Sequence, residues 1–517
     1  MTVTADRLPD VLNNFFISVS SGVPALDLNE LTKLQNSLGQ IPDKFIVDQF
    51  SVFMALSKLS LTKSPGPDLI PNQLLKDLAL VLAEPICAII NSSIRQGIVP
   101  NWWKMSRITP LPKQFPPSTV EQDVRPIAIT NGIAKVAEKF VAQWFNEHFQ
   151  THLDKNQFGC TANRSTTHAL IKISHEIFKA SDNSNNFIRI LFVDFAKAFD
   201  LIDHNVLLQK FIKYDFPPHI SAWSLSFLHD RQQFVKVNGS ISSVQGSNAG
   251  TPQGTISGPN EFKLIINDLE FDGQYAKYVD DTTTLSISTD PLNLELQNSA
   301  NKLSDWTRLN HMRINESKTK EMLIYFGSKY NPDVVRNITI NSVDIERVAT
   351  FKLLGVMFSN DLSWTEHVHY ILKKVAKRMY CMHYLTRAGI KECDSVIIYC
   401  SIIRSVLEYA CPVWHSGLTI KQSDEIERVQ QRCLKLIFPG CSYDEALGLE
   451  KLATRRENQT RELFVEMKNE NHVLHSLLPY RDSSCLRTRN SYPLTIPITK
   501  STRYGRAFIP YCISKRY

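Results

Sequence analysis

The chain has little of what marks a secreted, membrane-spanning or zinc-dependent protein. Its ten cysteines are scattered through 517 residues, and no two form a C-x-x-C pair. Structural zinc sites and redox dithiols place ligands at such short spacings. The scatter argues against both and fits reduced thiols in an intracellular protein, nuclear or cytoplasmic. No basic-then-apolar leader opens the chain, which argues against secretion. No apolar run reads as long enough to cross a bilayer; the longest candidate, LALVLAEPICAII at 78–90, is interrupted by Glu84-Pro85. No membrane partner is expected. The charge balance lacks a strong sign, with 58 Lys and Arg against 51 Asp and Glu. The small excess is concentrated, however. From Tyr480 to Tyr517 eight Lys or Arg face one acid, so this tail reads either as an electrostatic arm for phosphates or as a solvated, loose terminus.

What remains is an ordinary globular composition, 43% hydrophobic and 21% charged, on a chain too long for one core, so two or more subdomains are expected. The most informative stretch is AKYVDDTTTLSIS at 276–288, where β-branched and apolar residues flank Asp280-Asp281. The pattern predicts a β-hairpin with the acids at its tight turn. Adjacent carboxylates are common at solvated turns, but two ionised carboxylates also repel unless a cation lies between them. A third acid lies upstream. Ile188 to Val193 is an almost wholly apolar run ending at Asp194, the pattern of a buried central strand with a carboxylate where a site can open. Three such carboxylates can hold two metal ions for an in-line phosphoryl displacement.

FVDFAKAFD (192–200), GTPQGTISGP (250–259) and YVDD (278–281) occur in that order. They resemble motifs A, B and C of reverse transcriptases, most closely those of jockey-type, non-long-terminal-repeat retrotransposons. KSPGPDLIP (63–71), RPIAITNGIAKVAEKF (125–140), QFGC followed by RSTTHAL (157–170), LNHMRINESKTKEML (309–323) and FKLLGVMF (351–358) add to the match. The resemblance implies an α+β fold, the right hand of polymerases, with an antiparallel palm sheet backed by helices. Residues 1–62 are then a helical lead-in, 63–335 fingers and palm, 336–415 primer grip and thumb, and 416–517 a helical C-terminal region with the basic tail. The implied reaction is RNA-directed DNA synthesis, in which a primer 3′-OH attacks a dNTP. The implied metal ligands are Asp194, Asp280 and Asp281, holding two Mg²⁺ with Mn²⁺ as an alternative, and the implied partners are an RNA template and a DNA primer or target. The apurinic-type endonuclease usual upstream in this family is missing from this chain.

Further roles follow from the motifs that match. Lys113 and Arg125 correspond to residues that bind the triphosphate; by residue type alone they are surface cations. Gln253 and Gly254 correspond to positions against the nascent base pair, and Tyr278 to a substrate-contacting position. Asn260-Glu261 departs from the usual apolar pair after motif B, which bears on how that helix packs. Phe199 falls where a bulky ring excludes a ribose 2′-OH, or else is a core residue, while Asp200 reads as a turn and packing residue. Lys318, in the stretch resembling motif D, is either a proton donor to departing pyrophosphate or a surface lysine. Arg164 resembles a template-contacting residue. On the helix at 371–387, Leu372, Val375, Met379 and Met382 form one face and Lys373, Lys374, Lys377 and Arg378 the other, suiting a thumb helix that follows a phosphate backbone. Two rival readings stay open: an RNA-copying RNA polymerase, and an element-derived nucleic-acid-binding protein without catalysis. Phe199 and the YVDD form of motif C argue against the first, intact carboxylates against the second.

Overall fold

The computed structural model describes residues 7–117, 119–442, 449–480 and 493–517. Arg481, Arg487 and Arg489 of the basic tail, and most of the segment SYDEALGLEKL, lie outside these described residues. The chain divides into two compact, discontinuous units. One comprises Met1–Asp154, Phe195–Glu270 and Leu303–Ile314; the other comprises Lys155–Asp194, Phe271–Lys302 and Asn315–Tyr517. Both mix helices with sheet.

In the first unit, strands Met105–Pro112 and Val124–Ile129 form an antiparallel hairpin, and Arg231–Val237 adds in parallel to the first of them. The helical lead-in is built into this unit. Helix Leu8–Ser18 packs along the sheet through Leu12, which shares a small core with Ile108, Ala128 and Val235. Buried Asn13 bridges Ser243 O and Gln233 at 2.9 Å each. Helix Ala79–Gln96 runs through Pro85, so the Glu84-Pro85 interruption read from sequence does not end it. Helix Gly132–Phe149 follows the predicted apolar spacing, and its Phe145 and Phe149 join Phe211 and Phe216 in an aromatic cluster. These rings are core rather than surface platforms.

In the second unit, strand Phe187–Val193 is buried along its whole length. It lies inside a four-stranded antiparallel sheet, between Asp281–Ser288 and Lys320–Ile324, with Gln274–Tyr278 at the edge. An apolar run on both faces is what such an interior strand requires. Strands Thr350–Leu353 and Val356–Ser359 form the expected second hairpin, turned by Leu354 and Gly355 at φ 44° and 89°. Helix Thr365–Arg387 buries Val368, Ile371, Val375 and Met382 and exposes Lys373, Lys374 and Lys377. The described end of the tail is docked rather than loose. Asp182 accepts backbone N–H bonds from Lys500 and Ser501, and Phe508, Ile509, Cys512 and Ile513 are buried.

One sequence expectation needs correction. The helical run Glu392–Gly417 is long and apolar enough, by length and composition alone, to cross a membrane. The run emerges only when several short helices join end to end, with Ser, Cys and Tyr interspersed among the aliphatic residues. Its Tyr399, Ile403, Leu407, Val413 and Trp414 are buried in the core of the second unit.

Candidate active site

The acids of YVDD sit as the hairpin pattern predicts. Tyr278 pairs with Asp281 across a two-residue turn of Val279 and Asp280. The turn is strained. Val279 has φ 60°, a left-handed conformation that β-branched residues rarely adopt and that two-residue hairpins normally give to glycine or asparagine. The neighbouring chain holds it there. Gln157, 1% exposed, accepts through Oε1 the N–H groups of Val279 (3.1 Å) and Gly159 (2.9 Å). Gly159 passes so close that a Cβ would lie 2.4 Å from Val279 N, which only glycine permits. Arg164 braces this loop, its Nη1 donating to Gln157 O at 2.5 Å and Lys155 O at 3.0 Å.

Asp194 comes to the same end of the sheet through register. Strand Phe187–Val193 pairs with Asp281–Ser288 up to Val193–Thr282, so Asp194 and Asp281 are next in line. The motif D turn attaches to the backbone of Asp194: its carbonyl accepts from Asn315 N at 2.8 Å, and its N–H donates to Thr319 Oγ1 at 3.2 Å. Lys318, exposed, lies on that turn. The second unit therefore brings Asp194, Tyr278, Asp280, Asp281 and Lys318 to one end of one sheet.

The electrostatics show what this costs. Surrounding protein, then the charges of Asp280 and Asp194, push the Asp281 carboxyl up to about 6. Burial of the carboxyl is the larger cause and the like charges the smaller, although the residue keeps an edge open to water. Among the described residues, no three His, Cys, Asp or Glu side chains stand close enough to form a ready cation cage. Mg²⁺ does not require one, since it usually takes one or two carboxylates and completes its shell with water and substrate phosphates. Repelling carboxylates with an open edge fit such an ion.

The first unit gathers the other candidates. Lys113 directly follows strand Met105–Pro112 and Arg125 lies on the partner strand, where it pairs with Leu111. Both are exposed. In motif A, the half-buried Phe199 stacks on Phe262 with ring centroids 4.9 Å apart, and its carbonyl accepts from Thr251 N at 2.9 Å. Gln253 is held at both ends: its carbonyl accepts from Ala128 N at 2.7 Å, and its Nε2 donates to Asp200 Oδ1 at 3.0 Å. Gly254 has φ 112°, and a Cβ there would lie 2.9 Å from Ala128 O.

Asp200 is thus a member of the motif B constellation. Burial raises its carboxyl from the ordinary range, against the Gln253 hydrogen bond and the charges of Lys197 and Lys113. Neither Asp200 nor Gln157 stands out in the sequence as a site residue. The usable signal for Gln157 is the glycine two residues on, at a close backbone approach; for Asp200 there is none beyond its adjacency to Phe199. The departure at Asn260-Glu261 also has a structural answer. Both are buried in helix Gly258–Ile266, and Glu261 lies near Glu138 and Arg231.

Comparison with known proteins agrees with the geometry. Residues 112–358 match the family described as "Reverse transcriptase (RNA-dependent DNA polymerase)"; the chain carries a reverse transcriptase domain. It is similar to three proteins of Drosophila melanogaster. The RNA-directed DNA polymerase from mobile element jockey is 27% identical over 413 residues, covering 77% of this chain and 44% of that protein. The probable RNA-directed DNA polymerases from transposon X-element and from transposon BS are 28% and 26% identical, over 74% and 75% of this chain and 43% and 44% of theirs. The chain spans less than half the length of these relatives. The resemblance to reverse transcriptases of jockey-type, non-long-terminal-repeat elements, read from the motifs, is borne out.

Proposed function

We propose that this chain is an RNA-directed DNA polymerase that extends a primer 3′-OH with dNTPs on an RNA template. The observation that carries the reading is the strand register setting Asp194 beside Asp281, with Asp280 at the adjoining strained turn. Asp194, Asp280 and Asp281 are the residues that would hold two Mg²⁺, or Mn²⁺. When bound, such ions supply charge neutralisation at the attacking 3′-oxygen and at the triphosphate. The chain's own groups do the rest. Lys113 and Arg125 bind phosphate oxygens, Arg125 as a planar donor. Gln253 and the bare backbone of Gly254 contact the nascent base pair, and Tyr278 the substrate end. Phe199 excludes a 2′-OH, and Lys318 gives a proton to departing pyrophosphate. On this reading the chain is a right hand, with the hairpin at 350–359 as primer grip and helix Thr365–Arg387 as thumb. The RNA template, the DNA primer and an intracellular location belong to the same proposal.

The test is incorporation of labelled dTTP on poly(rA)/oligo(dT) with Mg²⁺, by the chain and by its Asp280→Asn variant. Incorporation by the first and not the second supports the reading. Nucleic-acid binding with no incorporation under any divalent ion favours the element-derived binding protein.

A further inference from the structure

The docked end of the basic tail walls a cavity that the proposed chemistry leaves unused. It is an open space of about 190 Å³ within the second unit, between the turn at 361–364, Val413 and the tail at 502–507. Phe178, Leu362, Trp364 and Val413 give it an apolar floor that belongs to the unit's core. Arg503 and Arg506 line it as cations, and the exposed Asp361 is the one acid in the lining. The cavity stands away from the carboxylates of the candidate active site. Phe178 lies near the end of helix Thr166–Ala180, a short turn before strand Phe187–Val193 begins, whereas Asp194 follows the far end of that strand.

The protein itself holds these walls in place. The Arg503 guanidinium lies over the Phe326 ring, its Cζ 3.6 Å from the centroid, which fixes the plane of its donor fork. Its Nε is buried and has no hydrogen-bond partner among the described residues. Buried donors are normally paired, so this N–H points to an acceptor from outside the chain. The exposed Arg506 guanidinium makes neither an ion pair nor a hydrogen bond among the described residues. Asp361 pairs with neither arginine and accepts Ser363 N at 2.9 Å. Trp364 is fixed by ring contacts with Phe178 and Phe358 at 6.1 and 5.6 Å, and by Gly417, where a Cβ would lie 2.4 Å from its Nε1. Two guanidiniums against one carboxylate leave a single positive charge over an apolar floor.

We propose that this cavity binds a carboxylate carried on an apolar body. The guanidinium edges of Arg503 and Arg506 take the carboxylate, a planar match of donors and acceptors. Phe178, Leu362, Trp364 and Val413 enclose the apolar part. An engineered cavity of about 150 Å³ accepts benzene, so this one accepts a body the size of a leucine or phenylalanine side chain. A nucleic-acid phosphate would leave the apolar floor uncovered. The carboxylate is either the C-terminus of a peptide ending in an apolar residue or that of a free aliphatic acid. The inference stands apart from the polymerase reading and gives a task to two cations of the tail.

The experiment measures binding to the full chain, without primer, template or dNTP, at about 0.1 M salt. The probes are a short peptide labelled at its N-terminus and ending in Leu with a free carboxylate, the same peptide as its C-terminal amide, the same peptide ending in Gly, octanoate, and inorganic phosphate. The free-carboxylate Leu peptide should bind. Amidation, and Arg506→Gln in the chain, should each weaken it about tenfold or more, the scale of a charge-assisted hydrogen bond. Arg506 is exposed and its guanidinium unpaired, so its replacement removes no contact within the protein, and Arg506→Lys should recover part of the loss. The peptide ending in Gly should bind more weakly than the one ending in Leu. Binding of octanoate but not of the peptide keeps the proposal and names a free acid as the source. Equal binding of acid and amide, or an Arg506→Gln chain that binds as the parent does, overturns it. So does phosphate that displaces the peptide at equal concentration, or no binding of peptide or octanoate at about 1 mM.

Discussion

Two groups of crowded acids, one in each unit, are treated oppositely by the fold. Glu138 and Glu261 are sealed inside the first unit at 0% and 1% exposure. Glu138 receives two backbone N–H groups, and the buried Arg231 lies close to both acids. Arg231 is itself tied to Phe227 O and Ser106 Oγ at 3.0 and 2.7 Å. Burial, and then Glu138, still push Glu261 up to about 8, so near neutrality it stays protonated and acts as a packing residue. In the second unit Asp280 and Asp194 act on Asp281 as like charges, and Asp281 keeps an edge open to solvent. On the reading proposed above, the second set is the one that would hold a cation, whereas the first is packed away from solvent. Like charges beside an over-determined turn are a pattern that clusters at functional sites.

The comparison breaks most sharply at Asp280. Asp280→Asn should lower dNTP incorporation by roughly a thousandfold or more, the cost of removing one ligand from a two-ion site, with circular dichroism unchanged. Glu261→Gln should leave incorporation near normal. If the two variants lose activity alike, the distinction between a held site and a packed core is wrong.

The next effect tests the clamp. Gln157→Ala removes the acceptor that holds Val279 N and Gly159 N. Releasing the turn by a fraction of an ångström should lower kcat by about ten- to a hundredfold with little change in KM for dNTP. Unchanged kcat would show that the strained φ is held without Gln157.

Phe199→Val should raise the ratio of rNTP to dNTP use on one primer-template by about tenfold, as kcat/KM for each substrate. Its ring already packs on Phe262. Activity that survives with an unaltered ratio would leave Phe199 as a core residue only.

The smallest effects are in stability and carry opposite functional meanings. Both Asp281 and Glu261 have folded values raised above their ordinary ones, from 3.8 to about 6 and from 4.5 to about 8. Each proton is therefore held more tightly by the folded chain, and the associated stability is fully present below the ordinary value and lost as pH rises through the folded one. Without divalent ions, Asp281→Asn should raise the melting midpoint at pH 7.5 by about a degree or two, and the gain should vanish below about pH 4. For Glu261→Gln the wild-type loss between about pH 5 and 8 should flatten. Added Mg²⁺ should narrow the first difference and leave the second. A midpoint for Asp281→Asn below wild type at pH 7.5 would contradict the repulsion read at the carboxylates.

Much of the site is legible in the sequence because its chemistry is local. Asp194 follows a strand whose seven residues are all buried, and a run of apolar residues broken only by Arg189 announces that burial. Tyr278 to Asp281 close a hairpin, and β-branched residues on either side mark its arms. The helix at 365–387 shows its lysine and apolar faces because a 3.6-residue period is written into the order of residues. Other parts are not legible because they depend on what arrives from elsewhere. Asp200 looks like a turn residue until Gln253, 53 positions on, donates to it. Glu261 of the polar pair Asn260-Glu261 is foreign to a buried helix until Arg231 and Glu138 are placed near it. The tail reads equally well as an arm or a loose end; the partner Asp182 and the core around Phe508 settle its described part.

The residue order by itself determined the elements, the three acids and the motif order, because hydrophobic period, turn chemistry and short-range repulsion act between near neighbours. Only the tertiary structure decided which acids meet, which are neutralised, why Val279 tolerates φ 60°, and that Arg503 and Arg506 of the tail share one cavity with Phe178, Leu362 and Trp364. Those depend on register and on approach between segments far apart in the chain, and strand pairing converts a one-residue shift into a reversal of every side chain's direction.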